Sequence, residues 1–185
     1  MSRIDEAAKP VVSPLIQGER GIVAPEAQII LSAWFAKTAI VADSRNQAGS
    51  MVPDTHRKLL RDEQRPPAVW EVWLMSYRGT DFRDLGLHQN GGLLNLTSIP
   101  ELRGKLAGYA QTTFIGMGRL AILLVANDLP VMHFSVGTLA RVARRIWPIT
   151  GAFDWPINPS ISDEDAIAAA DILKHMIMNP RNDPT

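Results

Sequence analysis

Between residues 69 and 77 the chain alternates, with Val69, Glu71, Trp73, Met75 and Tyr77 on one side of a period-two pattern and Trp70, Val72, Leu74 and Ser76 on the other. Alternation of this kind predicts a β-strand, because successive side chains of a strand point to opposite faces. Further strands are predicted over 93–97 (after the Gly91-Gly92 pair), 110–116, 120–126 and 131–136, with turns at Gly118 and at Asn127-Asp128 joining the later ones. Strands this closely spaced, with no helix between them, pair antiparallel. The stretch from Gly79 to Gly92 is the longest loop that the pattern leaves.

Helical spacing dominates the two ends. Residues 2–17 place Ile4, Ala7, Ala8, Val11, Val12, Leu15 and Ile16 on a helical period, while Pro10 and Pro14 each delete a backbone donor; one kinked helix or two short ones is expected. Gly18 and Gly21 bracket a turn, and Pro25 suits the first turn of a helix running to Asp43. Its core face is predicted at Ile30, Ala33, Trp34, Lys37, Ile40 and Val41. A short helix follows through Leu60, capped by Asp54 or Thr55 and ended by Arg65-Pro66-Pro67. Leu139, Val142, Ala143 and Ile146 have the spacing of a short amphipathic helix, and the Trp-Pro pairs at 147–148 and 155–156 call for extended backbone. Ser162, followed by Asp163, Glu164 and Asp165, opens a last helix that buries Ala166, Ala169, Ala170, Leu173 and Ile177. The expected architecture is α+β: one domain over 1–178, its antiparallel sheet of four or five strands packed against N-terminal helices and one C-terminal helix. A frayed tail over 179–185 completes it.

A length of 185 residues with 46% hydrophobic composition supports a substantial core. Nineteen basic residues balance nineteen acidic ones, so attraction to a polyanion must come from a local patch. The absence of cysteine removes disulfides, thiolate nucleophiles and thiolate metal sites. Apolar runs such as 120–126 fall far short of the roughly 20 residues that cross a bilayer, so no membrane partner is expected. Asp5 and Glu6 near the start are unlike a secretory signal, and a cytoplasmic location is the expectation.

Two windows near the start, Met1 to Pro10 and Trp34 to Val41, resemble the stretch that follows the metal-binding module in bacterial HNH-endonuclease-like proteins. Ile146-Trp147-Pro148 and Asp154-Trp155-Pro156, with a terminal helix after them, resemble the close of such chains. The resemblance implies a noncatalytic accessory domain that assists DNA binding or positioning, with the metal module upstream of Met1. Any divalent metal would belong to that module and no cofactor to this chain. The HNH residues themselves do not carry over: there is no cysteine, and His56, His88, His133 and His175 show no His-Asn-His spacing.

No residue is assigned a catalytic or metal-binding role. The best basic patch is Arg141, Arg144 and Arg145, gathered on one side of the short helix, with Lys37 as a further contact for phosphate or carboxylate. Either is also read as an ordinary solvated group, Lys37 with its stem lying over core residues. Asp81, Arg83, Asp84 and His88 make the loop a candidate surface for a protein partner, with His88 read as a solvated loop histidine. A small hydrolase would draw its acids from Asp54, Glu71, Asp81 and Asp84 and needs them to converge in a cleft. The acid and lysine two positions apart of another nuclease type fail at Glu71, because position 73 is Trp. Of Trp70 and Trp73, on opposite strand faces, one belongs in the core; Trp147 and Trp155 read as packing anchors.

Overall fold

A computed structural model of the chain describes residues 2–45, 50–94, 108–128 and 141–178. Helix α1 (Arg3–Gln17) opens with a capping box in which Ser2 and Asp5 satisfy each other's amides, and it closes at Gly18 in the left-handed conformation, φ 76°. Both prolines lie inside this single helix, where Ser13 donates its hydroxyl hydrogen to the Lys9 carbonyl at 2.8 Å. Strand β1 (Gly21–Val23) leads to α2 (Pro25–Asp43), with Pro25 in its first turn.

The predicted core face of α2 is corrected by about half a turn, with Ala33 the member that is buried as expected. Leu31, Phe35, Ala36 and Ala39 are fully buried, and Gln28, Ser32 and Asp43 are buried with them. Trp34 and Ile40 are only partly covered and Val41 is exposed. The reason is composition: α2 is apolar nearly all round, so periodicity does not choose a face, and the polar members of the buried face are chosen by specific partners. Gln28 donates to the Val23 and Gly151 carbonyls, and Ser32 to that of Ile146. Helix α3 (Asp54–Glu63) also departs from expectation, since its N-cap is Pro53 and neither Asp54 nor Thr55 caps it by a side chain.

Five strands form the main antiparallel sheet: β2 (Glu71–Ser76), β3 (Gly86–Leu94), β4 (Gly108–Met117), β5 (Leu120–Asn127) and β6 (Ala143–Trp147), in the order β3-β4-β5-β2-β6. A smaller antiparallel pair joins β1 to β7 (Phe153–Trp155), and α4 (Asp163–Met178) follows. Gly118, at φ 57°, makes the turn between β4 and β5 as expected. The α+β architecture is thus the one read from the pattern.

Both faces of the sheet are covered. Val72, Leu74, Ile115, Ile122 and Leu124 pack toward α1, α2 and α3, whereas Met75, Phe114, Leu123 and Val125 pack with Ala166 and Ala169 of α4. This two-sided burial explains the main correction. The expected helix around Ala143 and Ile146 is strand β6 over its described part, because residues three apart in a strand face opposite ways and each finds a core: Ala143 on the α4 side, Ile146 on the other. A bulge between Val72 and Trp73 shifts the β2-β6 register beside it.

Strand β3 begins at Gly86 and takes the second half of the stretch read as a loop, and it runs through Gly91 and Gly92 instead of starting after them. The strand expected over 131–136, with His133, lies outside the described residues, as do 95–97 and the tail. The expected side-chain burial of Ala170, Leu173 and Ile177 also lies outside what is described. Trp70 is the core member of its pair, and Trp147 and Trp155 are buried, Trp147 donating its indole N–H to the Pro67 carbonyl at 2.9 Å.

Candidate functional site

The turn between β2 and β3 is built around Asp163. Its carboxylate, in the first turn of α4, accepts the hydroxyl hydrogen of Tyr77 and the backbone N–H groups of Thr80 and Asp81, the latter two at 3.0 and 3.1 Å. The Tyr77 hydroxyl, its hydrogen thus committed, accepts the Phe82 N–H at 3.0 Å. These bonds, that from Tyr77 first, hold the Asp163 carboxyl below the usual carboxylate range. Backbone pairing reinforces the link, with Arg78 donating to the Ile161 carbonyl and Ile161 to that of Ser76.

Phe82 pins the turn from inside. Its ring meets Tyr77 and Phe114 edge to face, at centroid distances of 6.1 and 5.4 Å. Two glycines admit it: a Cβ at Gly86 would stand 2.0 Å from the Phe82 ring, and one at Gly116 would stand 2.4 Å from the Phe82 Cβ. The tied turn carries Asp81, Arg83 and Asp84 outward, all exposed, and leads into the exposed Leu85 and Leu87 at the start of β3. His88 is exposed too, but it lies on β3 and not in a loop. The interaction residues read from sequence are therefore brought together at one end of an edge strand.

Among the described residues β3 pairs only with β4, and no described strand pairs with the backbone donors and acceptors of its other edge. The opposite edge of the sheet differs. On β6, the Ile146 carbonyl accepts from Ser32 and the Arg145 carbonyl accepts the Thr150 hydroxyl hydrogen at 2.7 Å. Among the described residues, then, the β6 side of the sheet has carbonyls bonded by side chains and the β3 side is left open. Leu85 and Leu87, 63% and 41% exposed, flank the start of the open one.

The proposed basic patch is not assembled as a helix face. Arg144 and Arg145 are neighbours on a strand and point to opposite faces; Arg145 lies over the Trp73 ring at 5.8 Å from its centroid, on the α4 side. Arg141 is exposed just before β6. Lys37 is on another helix and is engaged by Asp5 at 2.5 Å, a contact that holds the Asp5 carboxyl down to about 2. The hydrolase acids do not converge either: Glu71 starts β2, roughly 16 Å of strand from the turn that carries Asp81 and Asp84, while Asp54 opens α3. Among the described residues no three His, Asp or Glu side chains form a group able to hold a metal. No helix among them is long and apolar enough to cross a membrane.

Two buried polar networks escaped the sequence reading. The Asp43 carboxylate accepts from Ser50, from the Met51 and Val52 N–H groups and from Gln111. Trp70 donates its indole N–H to the Tyr109 hydroxyl at 2.9 Å, and that hydroxyl lies 2.8 Å from His56 Nδ1. No sequence spacing signals these contacts; Gly79, Gly86 and Gly116 were the available signs of the tied turn. No protein-family model, curated protein or solved structure matches the chain.

Proposed function

We propose that this chain is a binding domain that joins a partner polypeptide by adding the partner's extended segment to the open edge of β3. The observation that carries the reading is the contrast, among the described residues, between the two edges of the sheet, β6 with carbonyls bonded by side chains and β3 open beside the exposed Leu85 and Leu87. A nine-residue strand offers roughly 30 Å of backbone pairing, with affinity from main-chain hydrogen bonds and selectivity from side chains on alternate positions. The Asp163-tied turn supports this use, since a strand start held in place loses less entropy when a partner docks. Such a role suits an accessory domain beside a metal-bearing module, which the likeness to HNH-endonuclease-like chains implies.

The test is a photo-crosslinking amino acid at position 87 in cells, followed by reconstitution of the captured partner with the purified chain. Slowed amide exchange across β3 in the complex, lost with Leu87→Lys, supports the reading. Protection elsewhere, or a complex indifferent to Leu87→Lys, overturns it. Contact with DNA through Arg141, Arg144 and Arg145 has the Arg145-Trp73 pair in its favour. A gel shift that disappears in the Arg144→Gln, Arg145→Gln double variant, without change in β3 exchange, would favour that second role.

A further inference from the structure

Strand β3 has two features that its place in this chain does not require. None of its nine residues is Asp, Glu, Lys, Arg or Pro, the residues that ordinarily keep a sheet edge from pairing with another chain. Gly91 lies inside the strand without a left-handed φ, and a Cβ there would meet nothing nearer than the Gln111 side chain at 3.4 Å, where ordinary van der Waals contact begins. Among the described residues no contact calls for glycine at that position. A glycine inside a strand weakens it and often marks the close approach of another backbone.

We infer, on the edge-docking reading, that the polypeptide added to β3 is β3 of a second copy of this chain, antiparallel about a two-fold axis at Asn90. Such an axis sets each residue opposite the one equally far beyond Asn90. Leu87 then stands opposite position 93 of the second copy, His88 opposite Gly92, Gln89 opposite Gly91 and Asn90 opposite itself. The sequence Gly-Leu-His-Gln-Asn-Gly-Gly-Leu-Leu therefore matches itself: leucine meets leucine, and each of the two longer polar residues meets a glycine. With the axis at Asn90 the whole strand is used, and the two five-stranded sheets join into one of ten. Leu87, 41% exposed, shares the α2 side of the sheet with Gln89, which donates to the Ala39 carbonyl at 3.1 Å. Two-fold pairing brings like residues together near the axis, and β3 has no charge to repel its own copy. The charged turns with Asp81, Arg83 and Asp84 are carried to opposite ends, roughly 30 Å of strand apart. An uncharged edge gives an unrelated partner no selectivity by charge, whereas the match of β3 to itself selects a second copy.

Sedimentation velocity of the full chain over a range of concentrations tests the inference. The wild type should pass reversibly from monomer to dimer. Asn90→Lys and Asn90→Glu each set like charges face to face at the axis and should weaken the dimer by about tenfold or more, while an equal mixture of the two should form a mixed dimer. Since the chain has no cysteine, Asn90→Cys supplies a second measurement. Residues opposite each other in an antiparallel pair have Cα atoms about 4.5–5.5 Å apart, within disulfide range, so this variant should oxidise to a covalent dimer. His88→Cys, whose two copies would stand four residues out of register, should not. A wild type monomeric at every concentration, dimers kept by both charged variants, folded charged variants that stay monomeric when mixed, or equal crosslinking from positions 88 and 90 overturns the inference. A monomeric wild type strikes the second copy alone: capture of a different polypeptide at position 87 would still uphold docking at the β3 edge, and capture of none would end that reading too.

Discussion

Tyr77 and Asp163, eighty-six residues apart, meet through a single hydrogen bond that ties the end of β2 to the start of α4 and fixes the turn leading into β3. Each partner serves more than the pair: Asp163 also accepts two backbone amides, and the Tyr77 oxygen also accepts the Phe82 N–H. Asp163→Ala should therefore act at a distance from its own helix. The Thr80, Asp81 and Phe82 amides should exchange faster, with smaller change in the core amides of β5. Amide exchange read by NMR checks this; unchanged rates at all three would remove Asp163 from its assigned role.

The same carboxylate carries a pH signature. Its folded pKa lies below the unfolded value of 3.8, so its contribution is present above that pH and lost as pH falls through the folded value. The turn should loosen only in strong acid, and the protection of the Thr80 and Asp81 amides, each rate taken relative to the unfolded-chain rate at the same pH, should be flat from neutrality to near pH 4.

Gly116 and Phe82 make a second testable pair. Gly116→Ala puts a methyl group where the Phe82 Cβ stands 2.4 Å away, and crowding of this kind costs roughly 1–3 kcal/mol. The cost should shrink when Phe82 is already Ala, because the obstructing side chain has gone. A double-mutant cycle by urea unfolding gives the coupling; strict additivity would show that the crowding is relieved elsewhere.

These contacts mark the border between what sequence displays and what it hides. The strands over 71–76, 108–117 and 120–127 were legible because long alternating or apolar runs leave few alternatives. The last helix was legible from its cap, since Ser162 and Asp165 do exchange hydrogen bonds with each other's amides. Strand β6 was misread because a sheet buried on both faces lets Ala143 and Ile146 satisfy a helical spacing without a helix. The α2 face was misread because its deepest positions include Gln28, Ser32 and Asp43, whose partners come from distant segments. For the candidate site, the exposed residues of the turn were named from sequence, while the edge that gives them a use depends on strand order, which periodicity does not encode.

Asp43 illustrates how a buried charge is held by such distant partners. Burial pushes its carboxyl pKa up, but hydrogen bonds from Ser50, Val52, Met51 and Gln111 together outweigh burial and hold it below 3.8. Asp43→Asn replaces one accepting oxygen with an amide that points hydrogens at donors. A loss of roughly 1–3 kcal/mol is expected in urea unfolding at pH 7. The wild-type advantage should be lost as pH falls through the lowered folded value, since the protonated acid also presents a donor. An Asn variant as stable as wild type would mean that the site rearranges to pair both groups.

His56 gives the opposite dependence, in a range nearer neutrality. Its Nδ1 faces the hydroxyl of the buried Tyr109, which already accepts the Trp70 indole N–H, so Tyr109 donates and His56 accepts. That arrangement requires a neutral imidazole with its hydrogen on Nε2. Burial lowers the His56 pKa, opposed only in part by the charge of Asp128, so the unfolded chain takes a proton first as pH falls below 6.5. Stability should accordingly be level above that pH and decline from 6.5 toward the lowered folded value, with a slope of at most about 1.4 kcal/mol per pH unit. His56→Phe should be less stable at pH 7.5, because the Tyr109 hydroxyl loses its acceptor, yet flatter between pH 6.5 and 5. Urea unfolding of both proteins across that range decides the matter: parallel curves would assign the decline to another group.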